Sequence, residues 1–158
     1  MSVIYLAGTE NGSKWREAFI TEIAKKISED TKQSADLVFN EICSFFVFPT
    51  ENKDLDRVSR GKVKYIVHVL SPRMTGVMNI YELTYDAMKR SKKMSFCILK
   101  VDFDQKQSIV FDQVYLDSLK SMGTALGLES IARFENFSDM VKYYYPIVLQ
   151  LMNKGNKK

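Results

Sequence analysis

The segment Lys64–Met88, K-Y-I-V-H-V-L-S-P-R-M-T-G-V-M-N-I-Y-E-L-T-Y-D-A-M, decides how the rest of the chain is read. Tyr65 to Leu70 is a short apolar run with β-branched residues, the pattern of a buried strand, and Ser71 to Gly76 brings the Pro and Gly that end it. From Val77 onward, Val77, Ile80, Tyr81, Thr84, Ala87 and Met88 return at intervals of three and four. That spacing predicts a helix that packs one stripe against a sheet and carries Glu82 in its second turn. A strand, a tight polar loop and a helix with an early carboxylate form a crevice at the carboxyl edge of a parallel sheet, where open α/β folds bind ligands.

Upstream, Val3 to Ala7 reads as a first strand ending at Gly8, followed by the polar loop Thr9 to Ser13. Trp15, Phe19, Ile23 and Ile27 recur every four residues, so a helix is expected from about Lys14 to Ser28, with Ser13 as its N-cap. The loop before it has too few glycines for a dinucleotide fingerprint and no Gly-Lys-Ser/Thr for a P-loop. Asp36 to Cys43 and Ser44 to Phe48 can each be strand. The second is favoured as a central strand that runs past Pro49 into a polar site loop, Thr50 to Asp56. Leu55 to Lys62 is expected to be a short helix or turn.

Downstream, Phe96 to Val101 reads as a fourth strand, Asp102 to Gln107 as a polar loop and Ser108 to Phe111 as a short edge strand. Val114 to Leu126 reads as a helix closed by Gly127, and Ile131 to Phe134 as a last strand. Asn136 or Ser138 caps a terminal helix that carries Met140, Val141, Tyr144, Val148, Leu149 and Met152 and should kink at Pro146. Alternating strands and helices predict one doubly wound α/β domain over residues 1–153, a parallel sheet of about five strands with helices on both faces, and a disordered basic tail, 154–158.

The 158 residues are 46% hydrophobic and 27% charged, the composition of a soluble globular domain, and no apolar run reaches the length of a membrane span. No signal-peptide pattern opens the chain, so a cytoplasmic location without a membrane partner is expected. Cys43 and Cys97 lie in apolar runs and read as buried thiols, while one histidine argues against a zinc site. The net charge of +4 comes largely from Lys89, Arg90, Lys92 and Lys93, where cations complement a helix dipole, and from the terminal lysines. Aromatic and basic residues do not interleave as a nucleic-acid platform requires, so no polymer partner is expected.

Three patches, I-Y-L-A-G at Ile4 to Gly8, F-P-T-E-N at Phe48 to Asn52 and L-S-P…T-G…Y-E-L at Leu70 to Leu83, resemble the site segments of the nucleoside 2-deoxyribosyltransferase family and its N-glycoside hydrolase relatives, in order and in spacing. The resemblance implies a flavodoxin-like sheet and a small-molecule nucleoside or nucleotide substrate. It also implies a homo-oligomer, for which the Tyr143 to Tyr145 cluster offers apolar area, and no metal or cofactor. The family's nucleophile, a glutamate on the helix after the third strand, matches Glu82. A carboxylate beneath the anomeric carbon can stabilise an oxocarbenium-like state or bond to it, and a helix N-terminus helps keep it ionised.

The resemblance further implies that Tyr5 orients the nucleophile, although a strand tyrosine also serves as core. Gly8, Thr9 and Asn52 would approach the substrate, although a strand-ending Gly needs no ligand. Ser71, Arg73, Thr75 and Gly76 would receive a 5′-hydroxyl or 5′-phosphate, or else form an ordinary Pro/Gly turn. Asp56, with Asp54 as a close substitute, falls where the family positions or protonates the base. The chain departs from the pattern at two acidic positions of the third strand, which here read Lys64 and Val69 beside His68. The expected activity is therefore N-glycosidic cleavage with transfer to a base or to water. A non-catalytic nucleotide-binding module and an NAD-type glycohydrolase stand as alternatives.

Overall fold

The computed structural model describes residues 2–103, 111, 113–114, 117–118, 121, 131–134 and 136–155. Five apolar runs pair in parallel as β1 (Ile4–Gly8), β2 (Phe46–Val47), β3 (Tyr65–Leu70), β4 (Met94–Ile98) and β5 (Ala132–Phe134), in the order β2-β1-β3-β4-β5. The order is that of a doubly wound, flavodoxin-like sheet, and the chain reverses its direction of winding between β1 and β3. There the register runs from Ile4 opposite Tyr65 to Gly8 opposite Val69.

Successive strand residues point to opposite faces, and this alternation sorts the core. Ile4, Leu6, Val67, Val69 and Cys97 pack against α1 (Trp15–Thr31), α2 (Ala35–Cys43) and α5 (Phe137–Gly155). Tyr5, Ala7 and Ile66 face the opposite side, where α3 (Lys53–Lys62) closes with Val63. Leu70, Met94 and Phe96 meet Leu83 and Ala87 of α4 (Met78–Arg90) on that side too. Helices thus cover both faces, and α3 and α4 stand over the face that carries Tyr5 and His68.

Several local expectations are corrected. Residues 35–43, where strand was one open reading, are helix, because Val38 and Ile42, four apart, bury fully against α1. The F-F-V-F run gives a two-residue strand that, among the described residues, pairs with β1 alone at the edge of the sheet, so it is not central; Phe48 is already 44% exposed. Helix α1 has Lys14 at its N-cap with no side-chain cap, and Ser13 instead hydrogen-bonds Ser71 at 3.2 Å. The buried stripe of α4 is Leu83, Asp86 and Ala87, and Val77, Tyr81 and Met88 are exposed. A stripe counted from apolar residues skips the buried Asp86, which rotates the true contact face.

At the C-terminus Asn136 caps α5, its Oδ1 accepting from the Asp139 N–H at 3.0 Å, while Ser138 lies inside the helix. The helix continues through Pro146 to Gly155, so Lys154 belongs to it and not to a tail, and 156–158 lie outside the described residues. Tyr143 to Tyr145 form no exposed patch: Tyr144 is buried against Ser95, Tyr145 donates to Asp30, and Tyr143 alone is open. The edge strand expected at 108–111 and the helix expected at 114–126 fall largely outside the described residues. Neither cysteine forms a disulfide; Cys97 is buried and Cys43 half-buried. Among the described residues no helix is long and apolar enough to cross a membrane.

Candidate functional site

Helices α3 and α4 follow β2 and β3, so both begin at the carboxyl edge of the sheet. The groove between their walls is lined by Lys53, Asp54, Arg57 and Arg60 of α3 and by Met78, Tyr81, Glu82 and Tyr85 of α4. Glu82 is 13% exposed, and its Oε2 lies 3.0 Å from Nη1 of Arg60. A lone carboxylate so far removed from water is costly, and this one is compensated by a guanidinium that is itself nearly buried.

Arg60 is held in turn. Its guanidinium lies 5.7 Å from the centre of the Tyr5 ring, and its Nε is 3.4 Å from Oδ2 of Asp86, an ion pair without hydrogen-bond alignment. Glu82 and Asp86 are one helical turn apart, so a single arginine reaches both. Asp86 is wholly buried and also receives Arg90 Nη1 and His68 Nε2, the latter at 3.0 Å. An ionised carboxylate only accepts, so His68 carries its proton on Nε2; its buried Nδ1 has no hydrogen-bond partner among the described residues. Burial pushes the Asp86 carboxyl up, but His68, Arg60 and Arg90 together outweigh it and hold the group below the ordinary aspartate range.

Tyr5, which the resemblance casts as the orienter of Glu82, makes no hydrogen bond to it, because its buried hydroxyl has no hydrogen-bond partner among the described residues. Burial first, and then the neighbouring Asp56 carboxylate, push the phenol far above its usual range, so it stays protonated. Arg60, between Tyr5 and Glu82, does the orienting instead.

The two candidate acids separate. Asp54 lines the groove with Glu82, but its side chain is 83% exposed and paired with Arg57 at 2.9 Å. Asp56 is 2% exposed and does not line the groove; its Oδ1 accepts from the N–H and hydroxyl of Thr50 at 2.8 and 3.1 Å. Asn52 caps α3, its Oδ1 accepting from the N–H groups of Asp54 and Leu55.

The loops after β1 and β3 have many of their polar groups engaged within the protein. Gly8 has φ +107°, and a Cβ there would lie 2.0 Å from the Val69 carbonyl oxygen, so the glycine is required by the neighbouring strand. Thr9 is fully buried, its Oγ1 accepting from the Ser71 N–H at 2.9 Å and its carbonyl from Trp15 Nε1 and Arg16 Nη1. Arg16 also donates to the carbonyls of Leu6 and Gly8, which pins the first loop to its own helix. The Ser71 hydroxyl donates to the buried Asp102 at 2.6 Å, and Arg73 approaches the same carboxylate at 3.9 Å. Thr75 accepts from Asn11 at 2.7 Å, and Gly76 is exposed. Neither Lys64 nor Val69 puts an acid at the site, and His68 meets Asp86 behind the groove.

Arg60, Asp86, Arg90 and Arg16 were not singled out from the sequence as site residues. A signal existed for Asp86, a charged residue set between Leu83 and Ala87 on a buried helical stripe. Among the described residues no group of three or more His, Cys, Asp or Glu side chains is arranged to hold a metal ion. No protein-family model, curated protein or solved structure matches the chain.

Proposed function

We propose that the groove binds a 2′-deoxynucleoside or deoxynucleotide and that Glu82 attacks its anomeric carbon, releasing the base and passing the deoxyribosyl group to another base or to water. The observation that carries this reading is the Glu82 carboxylate, mostly withdrawn from water on the wall of a groove and aimed by Arg60 rather than left on a solvated helix face. A carboxylate held in this way suits an oxocarbenium-like transition state. Asp54, on the same groove, is the acid available to the leaving base. The reading also places a second copy of the chain against exposed apolar side chains of α3, α4 and the turn before α4, namely Leu55, Val58, Val77 and Tyr81.

The burial of Asp56 beneath Thr50 favours a second reading, a nucleotide-binding module without turnover, because it removes the better placed of the two acids from the groove. General acid catalysis supplies about 10²–10⁴-fold in rate, so its loss leaves binding intact while turnover fades. Incubation with deoxynucleosides, their 5′-monophosphates and NAD, with and without acceptor bases, followed by chromatography of released base, separates the readings. Base release from a deoxynucleoside or deoxynucleotide that disappears in Glu82→Gln supports the first. Saturable binding with no release supports the second, and release from NAD alone points to a glycohydrolase.

A further inference from the structure

Glu82 belongs to a closed set of buried charges. Two carboxylates, Glu82 and Asp86, face two guanidinium groups, Arg60 and Arg90, and the side chains of all four are 15% exposed or less. The two arginines are matched by two carboxylates only while Glu82 is an anion. Arg60 joins Glu82 to the rest of the set, through Oε2 at 3.0 Å on one side and Asp86 at 3.4 Å on the other.

We infer that Arg60 is a positioning residue that sets the balance between the free and the glycosylated enzyme, an inference that rests on Glu82 being the nucleophile. In the first step a Glu82 oxygen bonds to C1′ as the C1′–N bond breaks; the electron pair leaves with the base, which takes up a proton from Asp54 or solvent. The carboxylate charge is lost, and Arg60 is left buried opposite a neutral ester. In the second step a water oxygen or acceptor-base nitrogen bonds to C1′ and its proton passes to solvent. The C1′–O bond breaks, and its electron pair restores the carboxylate facing Arg60. The buried guanidinium therefore opposes formation of the ester and assists its breakdown, keeping the intermediate sparse. Asp86, through His68 and Arg90, fixes Arg60 where it can do so.

Removing the charge should raise the proportion of glycosylated enzyme. A close, desolvated ion pair is worth enough to shift that ratio about ten- to a hundredfold. The experiment takes wild type, Arg60→Gln and Arg60→Lys, each checked for folding by circular dichroism, and mixes them with the deoxynucleoside or deoxynucleotide turned over by wild type. Acid quenching and intact-protein mass spectrometry then give the fraction carrying one added deoxyribosyl unit, localised by peptide mapping. The expected result is a rise in adduct on Glu82 in Arg60→Gln together with a lower kcat, and a return toward the wild-type ratio in Arg60→Lys. A merely structural role for Arg60 lowers kcat without raising the adduct, and that outcome overturns the inference while leaving Glu82 as nucleophile. If Arg60→Gln does not fold, Arg60→Met, which removes the charge but keeps an unbranched side chain, decides: adduct no higher than in wild type overturns the inference. Wild type that releases no base, or Glu82→Gln that releases it normally, overturns the reading of the site itself.

Discussion

Replacing Asp86 by Asn tests whether the buried charge set is energetically live. The substitution preserves shape and removes one negative charge from a fully buried position that faces His68, Arg60 and Arg90. The new amide also puts an NH₂ where a carboxylate oxygen received a donor. Whichever way it turns, a donor faces a donor: Arg90 on one side, or His68 and Arg60 on the other. Breaking a buried ion pair from one side costs about 3–5 kcal/mol. The lower end applies here, since Arg90 is 15% exposed and can be hydrated, and Arg60 keeps Glu82. A loss of about 3 kcal/mol corresponds to a fall in Tm of roughly 6–12 °C for a chain of this size.

The pH dependence gives a second reading of the same group. The folded carboxyl of Asp86 titrates below its unfolded value, so its contribution is fully present above about pH 3.9 and is lost as pH falls through the lowered folded value. The stability gap between wild type and Asp86→Asn, from urea unfolding with its midpoint and slope, should therefore be wide at pH 7 and narrow as pH falls below about 4. A gap under about 1 kcal/mol at pH 7, or one that does not close in acid, refutes the account of a charge set held by Asp86.

Gly8→Ala should destabilise severely, because its Cβ would stand 2.0 Å from the Val69 carbonyl at a φ of +107°; thermal unfolding near that of wild type would show that β1 and β3 do not approach as described. Glu82→Gln should abolish base release while lowering stability only modestly, since Arg60 keeps its ion pair with Asp86; assay and melting curve together check this. Light scattering at micromolar concentration should give a mass above the monomer, as expected from the exposed Leu55, Val58, Val77 and Tyr81, and a monomer would remove the proposed self-association.

The parts of the fold that were legible in the sequence are those governed by local chemistry. The strand Tyr65–Leu70 matched its expected bounds because an unbroken apolar run between a lysine and a Ser-Pro pair has one reading in a parallel sheet. Helix α1 followed from its four-residue period, and Asn136 from the preference for a side chain that accepts N–H groups at a helix start. The misreadings share a cause. Residues 35–43 and the F-F-V-F run are both apolar enough for either state, and only packing on α1 and the absence of a second neighbour for β2 decide between them. The candidate site was legible in part: Glu82 and Asp54 share a groove, but the arginine paired with Glu82 lies on another helix, 22 positions earlier, and no periodicity links Arg60 to it.

This division between local and distant partners bears on the chemistry. At the loops after β1 and β3, Gly8, Thr9 and Ser71 resemble family site segments, yet each meets a demand of the fold: close strand approach, a loop-to-loop hydrogen bond, and a buried Asp102 that needs a donor. Their identities would be required even without a ligand. The reverse holds between α3 and α4. A buried carboxylate, arginine, carboxylate and histidine run there in sequence from the groove inward, where apolar residues of similar volume would be as stable or more so. Substitutions in the loops should therefore lower stability and activity together, whereas Arg60 and Glu82 should separate the two.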